Sequence, residues 1–236
     1  MDQFLHSIKD RGFVDVILGF GTSVSLVTVL VDMDAAGWAG LLGIRGMISR
    51  DRAPGVRCVA FDNLLRRSAK QNLVSEVYVL RSFGADVGAK YDSLTWWPKL
   101  EEGHENMSPL CLAAEAGPSD VVALLLADHA NIEARGHTAM TPLIFAARGG
   151  NVTTVQVLLH RGADIEAKDD NQRTALSHAA QGGHIEVVEL LLNYGADMET
   201  LDADGKSPLH YTVPFGHLPV FNLMLRVGAY RQMHMQ

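Results

Sequence analysis

Four residues at one spacing could do chemistry together. Leu112, Phe145, His178 and Tyr211 stand 33 residues apart in a 236-residue chain. If the chain repeats in space as it does in sequence, these side chains form one column, with neighbours at about 10 Å. Phe145, His178 and Tyr211 would then line a groove carrying one imidazole and one phenol. Concave, aromatic and titratable describes a pocket for a small hydrophobic ligand, or an active site with His178 as acid or base and Tyr211 as donor. It also describes an aromatic groove for a peptide. A third reading has His178 bonding the backbone of a neighbouring loop.

Other catalytic arrangements fare poorly. Ser177 and His178 are adjacent, so on a helix their side chains diverge and make no nucleophile–base pair. No two histidines have i, i+4 metal spacing, so no metal is expected. No Gly-rich loop follows a strand pattern, and no cofactor is implied.

The column follows from a longer repeat. Copies of one pattern begin at Ser108, Thr141, Thr174 and Ser207. A second marker keeps the same step, from His129-Ala130-Asn131 through Gly162-Ala163-Asp164 and Gly195-Ala196-Asp197 to Gly228-Ala229-Tyr230. Two markers sharing one period indicate a solenoid whose units bury their apolar faces on one another. Within a copy, Thr141 can cap a helix that Pro142 starts. Leu143, Ala146 and Ala147 supply a small apolar face, and Gly149-Gly150 end the helix. Val155, Leu158 and Leu159 mark a second helix, closed by Gly162. Residues 165–173 read as a finger leading to the next unit.

This pattern resembles the ankyrin repeat, strongly over residues 108–236 and in degenerate form over 63–87, where Gly84-Ala85-Asp86 repeats the loop marker and Leu65, Ser68 and Ala69 fall on the apolar face. The resemblance implies an all-α fold: a helix-turn-helix solenoid with finger loops. Residues 1–62 are expected to form an irregular helical N-terminal cap, and 63–236 the repeat domain of one degenerate and four regular units. The marker step from Gly84 to His129 is 45 residues, so an insert of twelve lies within 88–107. It carries Trp96 and Trp97, which could form a binding finger or fold back over the solenoid edge.

Ankyrin-type proteins bind mostly through a concave side of finger tips and first helices. By position, that surface here holds His137, Thr138 and Met140 on one finger, Asp170, Asn171 and Arg173 on the next, and Ala203, Asp204 and Lys206 on the last. Glu115, Arg148, Gln181 and Pro214 come from the first helices, and Phe215 follows where other copies have glycine. His184 and His217 match the family's Gly-His turn, where imidazole bonds loop backbone, and His210 sits in its structural Thr-Pro-Leu-His slot. Glu133, Glu166 and Glu199 form a ladder expected to be solvated.

Charge and composition set the partner class. Net charge is -7, and residues 108–206 hold 14 Asp+Glu against 6 Lys+Arg. An acidic array repels phosphate backbones, so the expected partner is a neutral or basic protein and not nucleic acid. Cys58 and Cys111 form no metal or disulfide framework, which suits a reducing, cytoplasmic setting. Residues 13–31 are apolar apart from Asp15, but Gly19, Gly21, Thr22, Ser23 and Ser25 dilute them, and a buried helix pair is expected over a membrane span. The leading reading is a non-enzymatic recognition scaffold using the concave face and the Trp finger. The alternative is a small-molecule binder or enzyme built on His178, Tyr211, Phe145, Trp96 and Trp97.

Overall fold

A computed structural model describes residues 59–82, 85–88, 107–117 and 119–234. The tryptophan pair Trp96-Trp97, the apolar stretch 13–31 and the expected cap, up to residue 58, lie outside the described residues. Among the described residues the chain is wholly helical. The helices are α1 (Val59–Lys70), α2 (Val74–Ser82), α3 (Pro109–Ala116), α4 (Ser119–Ala127), α5 (Pro142–Arg148), α6 (Val152–His160), α7 (Ala175–Gly182), α8 (Ile185–Asn193), α9 (Pro208–Thr212) and α10 (Leu218–His234). They pair in sequence order, and each odd-numbered helix packs on the next odd-numbered one, giving five stacked helix pairs.

The caps explain why helices start where they do. The Ser108 and Thr141 hydroxyls accept the amides of Cys111 and Ile144, each with proline at the first helical position. Ser207 and His210 form a reciprocal capping box, with His210 Nδ1 accepting the Ser207 amide at 3.1 Å. The first helix begins at Val59, upstream of Asn63, where the period would put its cap. It lacks the Ser/Thr-Pro pair that sets the start in three of the other copies. Leu65, Ser68 and Ala69 are buried, as the repeat pattern expects.

Each turn between paired helices needs a left-handed residue. Gly117, Gly150, Gly183 and Gly216 supply it, with φ between 71° and 107°. The turn is then tied to the neighbouring unit. The Asn151 amide donates to the Ala114 and Glu115 carbonyls, and His184 and His217 place Nε2 at 3.0 Å from the Arg148 and Gln181 carbonyls. These bonds satisfy helix C-terminal carbonyls that would otherwise be orphaned. The core is one continuous stack of small and branched residues from Leu65 to Met224. Cys111 is a buried thiol within it, 3.4 Å from the Ala134 carbonyl.

The glutamate ladder departs from its expectation. Glu133 and Glu166 are not simply solvated: their Oε1 atoms accept the amides of Asp164 and Asp197, both at 2.8 Å. Each carboxylate therefore clamps the loop of the following unit. Arg135 donates to the Ala139 and Lys168 carbonyls.

Candidate functional site

The concave side is made by the fingers and by α3, α5, α7 and α9. Each finger is a tight hairpin closed by one backbone bond, Gly136 to Met140, Asp169 to Arg173, and Asp202 to Lys206, all at 3.0 Å. Successive tips are also joined, the Asp170 amide to the Thr138 carbonyl and the Ala203 amide to the Asn171 carbonyl. The tips are thus linked into one edge by backbone bonds.

Two of the fingers start with an aspartate that works in both directions. Asp169 Oδ1 accepts the amides of Asn171 and Arg173 at 2.8 and 2.9 Å, which shapes the finger. Its Oδ2 accepts a hydrogen bond from His178 Nε2 at 2.9 Å and faces Arg173 Nη2 at 3.3 Å. Burial alone would raise the Asp169 pKa, but these donors outweigh it and hold it below the ordinary carboxylate value. Burial pushes the His178 pKa down, the Asp169 bond opposes that, and the Arg173 and Arg148 charges reinforce it. The imidazole is therefore neutral at pH 7 with its proton on Nε2. One unit later, Asp202 Oδ1 organises its finger through the Asp204 and Lys206 amides, and Oδ2 accepts the Tyr211 hydroxyl. Burial first, then the Asp202 carboxylate, push the Tyr211 phenol up to about 12.

The unit before them solves the same slot without charge. Phe145 occupies the position of His178 and Tyr211, and Gly136 stands where they have aspartate. A Cβ at Gly136 would lie 2.9 Å from Phe145 Cε2, so the ring fills the space a side chain would need. The finger residue and the helix residue nine positions later are thus one coupled choice: glycine with phenylalanine, aspartate with a hydrogen-bond donor.

This coupling corrects the expected aromatic groove. Phe145 is fully buried and His178 is 3% exposed, so neither lines an open surface. The His178 partner is a finger side chain and not finger backbone. Met140, expected on a finger tip, is also buried. Tyr211 is half-buried, with its hydroxyl engaged by Asp202. Among the described residues no His/Cys/Asp/Glu group has a metal-binding arrangement.

What does reach solvent on the concave side is a row of unlike polar groups. Arg148 lies over the Phe145 ring with Cζ 5.4 Å from its centroid, and its Nη2 meets Glu115 Oε1 at 2.6 Å. The His137 ring packs on the same phenylalanine at 5.2 Å. Arg173 Nη1 reaches Gln181 Oε1 at 3.3 Å. Asp170, Asn171, Asp204 and Lys206 are exposed at the tips, with Lys206 Nζ 3.2 Å from Asp204. Phe215 is 55% exposed and stacks on His217 at the far end of the row. Trp96 and Trp97 fall outside the described residues.

Sequence reasoning missed Asp169, Asp202 and the Glu115–Arg148 bridge. The aspartates had a readable signal, since Gly136, Asp169 and Asp202 share the 33-residue step and vary together with Phe145, His178 and Tyr211.

A comparison with family models matches ankyrin repeats over residues 65–169 and 143–232, together well over half of the chain. This chain belongs to the ankyrin-repeat family. No curated protein matches it. Ankyrin repeats are in general protein-interaction scaffolds, and among the described residues no helix is long and apolar enough to cross a membrane. In this ankyrin array, the turn imidazoles and the Glu clamps tie neighbouring repeats together, while the capping hydroxyls and the finger aspartates shape each helix start and finger. Arg148, Gln181, Arg173 and the tip residues also differ from repeat to repeat.

Proposed function

We propose that this protein is a recognition scaffold that holds a segment of a protein partner along its concave face. The observation that carries the reading is the row from Glu115 through Arg148 and Gln181, flanked by Arg173, Asp170 and Asn171: chemically unlike groups fixed on a rigid repeating frame. Pre-ordered side chains lose less entropy on binding, so a pre-formed row suits recognition. The Glu115 carboxylate already faces Arg148, and Asp169 already faces Arg173. Asp170 at the tips adds to the acidity of residues 108–206, which favours a neutral or basic partner over nucleic acid. A buried Cys111 thiol outside any disulfide suits a reducing, cytoplasmic setting. The Trp96-Trp97 finger is retained as a second contact in this proposal.

The reading as an enzyme or small-molecule binder has less to stand on, because the His178 and Tyr211 polar atoms are already bonded to aspartates. A photo-crosslinking residue placed at Gln181, on the concave side, and separately at Gln156, on the exposed side of α6, tests the proposal. In whole-cell extract, discrete protein adducts are expected from position 181 and not from 156. Adducts of equal yield at both, or only at 156, would reject the concave face as the recognition surface.

A further inference from the structure

The concave row extends one unit further back than Glu115. In the first unit Asn72 carries the left-handed turn, with φ 57°, where Gly150 carries it in the third. The Leu73 amide bonds the Ser68 carbonyl at 2.9 Å, as the Asn151 amide bonds the Ala146 carbonyl at 3.0 Å. These matched turns put Lys70 at the position of Arg148. The helix row therefore reads Lys70, Glu115, Arg148 and Gln181 over four units, all partly exposed. Its charge alternates, positive, negative, positive, before an amide whose oxygen Arg173 reaches at 3.3 Å. Arg67, one turn before Lys70, is also partly exposed and strengthens the first positive position. The matching row on the outer helices, Tyr78, Ala123, Gln156 and Glu189, carries a single charge.

Glu115 and Arg148 meet at 2.6 Å, with side chains 27% and 39% exposed. A carboxylate accepts at two oxygens and a guanidinium donates through several N–H groups, so one shared bond does not exhaust either. Neighbouring units stack at about 10 Å. A ligand that meets one row residue per unit must return a side chain to the same face at that interval. A β-strand does so only at about 7 or 13 Å. A polyproline II helix rises about 3.1 Å per residue with three residues per turn, so every third side chain returns after about 9 Å. An α-helix matches at every seventh residue but is about 10–12 Å across. The fingers stand too close to the row for that width: Arg148 Nη1 is 3.9 Å from Met140 Sδ, and Arg173 touches Gln181.

On the reading that recognition uses the concave face, we infer that the row takes a polyproline II segment of a partner protein. The segment carries an acidic, a basic and an acidic residue at every third position, set against Lys70, Glu115 and Arg148. The net acidity of the array acts at long range on the whole partner, whereas the row acts on the segment in contact and fixes its register. Each exposed ion pair contributes about two- to fivefold in affinity, so three in register give about tenfold to a hundredfold over an uncharged segment.

Selection of random displayed peptides against the full chain tests this, repeated with Lys70→Glu/Glu115→Arg/Arg148→Glu, which reverses the row and keeps its internal attraction. Wild type is expected to enrich an acidic-x-x-basic-x-x-acidic motif and the variant the opposite order, each at least about tenfold. All three positions are partly exposed, so the helical circular dichroism of the variant is expected to survive. Lys70→Glu alone serves if the triple variant unfolds, and should lose only the acidic residue at one end of the motif. Peptides that lose binding in Arg148→Ala/Gln181→Ala but carry no charge pattern, or carry it at seven-residue spacing, overturn the inference and leave concave recognition standing. The same motif selected by wild type and by the reversed variant also overturns it. Peptides whose binding is indifferent to Arg148→Ala/Gln181→Ala overturn concave recognition itself, and the inference with it.

Discussion

The coupling between the finger aspartate and the helix slot makes a quantitative prediction. Asp169→Gly/His178→Phe copies the Gly136–Phe145 pair into the next repeat, and each single change should be worse than half of the double. Asp169→Gly loses two hydrogen bonds to backbone amides (Asn171 and Arg173), about 1 kcal/mol each, and strands the His178 Nε2 proton, about 1–3 kcal/mol. His178→Phe removes a charge-assisted bond from a buried carboxylate, about 1.5–3 kcal/mol, and forces a larger ring against Asp169, about 1–3 kcal/mol. Each single variant should therefore lose about 4 kcal/mol. In the double variant the ring fills the space left by the carboxylate and no buried imidazole or carboxylate is orphaned, so that only the acceptor of the Asn171 and Arg173 amides is lost. Its loss should be about 5 kcal/mol, where simple addition gives about 8, a coupling near 3 kcal/mol. Urea unfolding of the four proteins at pH 7, followed by circular dichroism and extrapolated linearly, measures it. Additivity within about 0.5 kcal/mol would refute the coupling and make the glycine–phenylalanine and aspartate–histidine pairs coincidental.

Further outcomes follow from the same contacts. The His178 pKa is lowered on folding below 6.5, so the unfolded chain binds its proton first and stability falls as pH drops through about 6.5. Asp169, also lowered, adds a loss at more acid pH, and the double variant should show a shallower decline than wild type over pH 7 to 5. Gly136→Ala should cost about 1–3 kcal/mol through its contact with Phe145, and Phe145→Leu in the same chain should recover part of it; equal melting of wild type and Gly136→Ala would contradict the close approach. His184→Ala should cost about 1–2 kcal/mol by orphaning the Arg148 carbonyl, with no loss of helical signal below the transition.

The frame was legible because its signals are local. Ser108, Thr141 and Ser207 sit directly before Pro109, Pro142 and Pro208, and cap and proline both act within one turn. Gly150, Gly183 and Gly216 mark turns that require positive φ, and His184 and His217 bond backbone, as the family resemblance implied, although the carbonyls they reach belong to the preceding repeat, which the resemblance did not specify. The site was less legible because its determinants lie across the finger. Whether Phe145 or His178 faces solvent depends on residues nine positions earlier and on the adjacent repeat, neither of which helical periodicity reports. The Glu133 and Glu166 clamps reach the following unit 31 residues on, and as sequence they look like any exposed carboxylate. By position in the repeat, Met140 belongs at a finger tip. The hairpin bond from Gly136 to Met140 instead turns it inward, where Arg148 Nη1 lies 3.9 Å from its sulfur.

The claim that matters most is that recognition uses the concave row. The most direct measurement is the affinity of a peptide selected from a random library against the full chain, determined for wild type, for Arg148→Ala/Gln181→Ala, and for the outer-helix variant Gln156→Ala/Glu189→Ala. The concave pair should weaken binding at least about tenfold, or 1.4 kcal/mol, and the outer pair less than about twofold. Loss of binding in the outer pair with the concave pair unaffected would contradict the account.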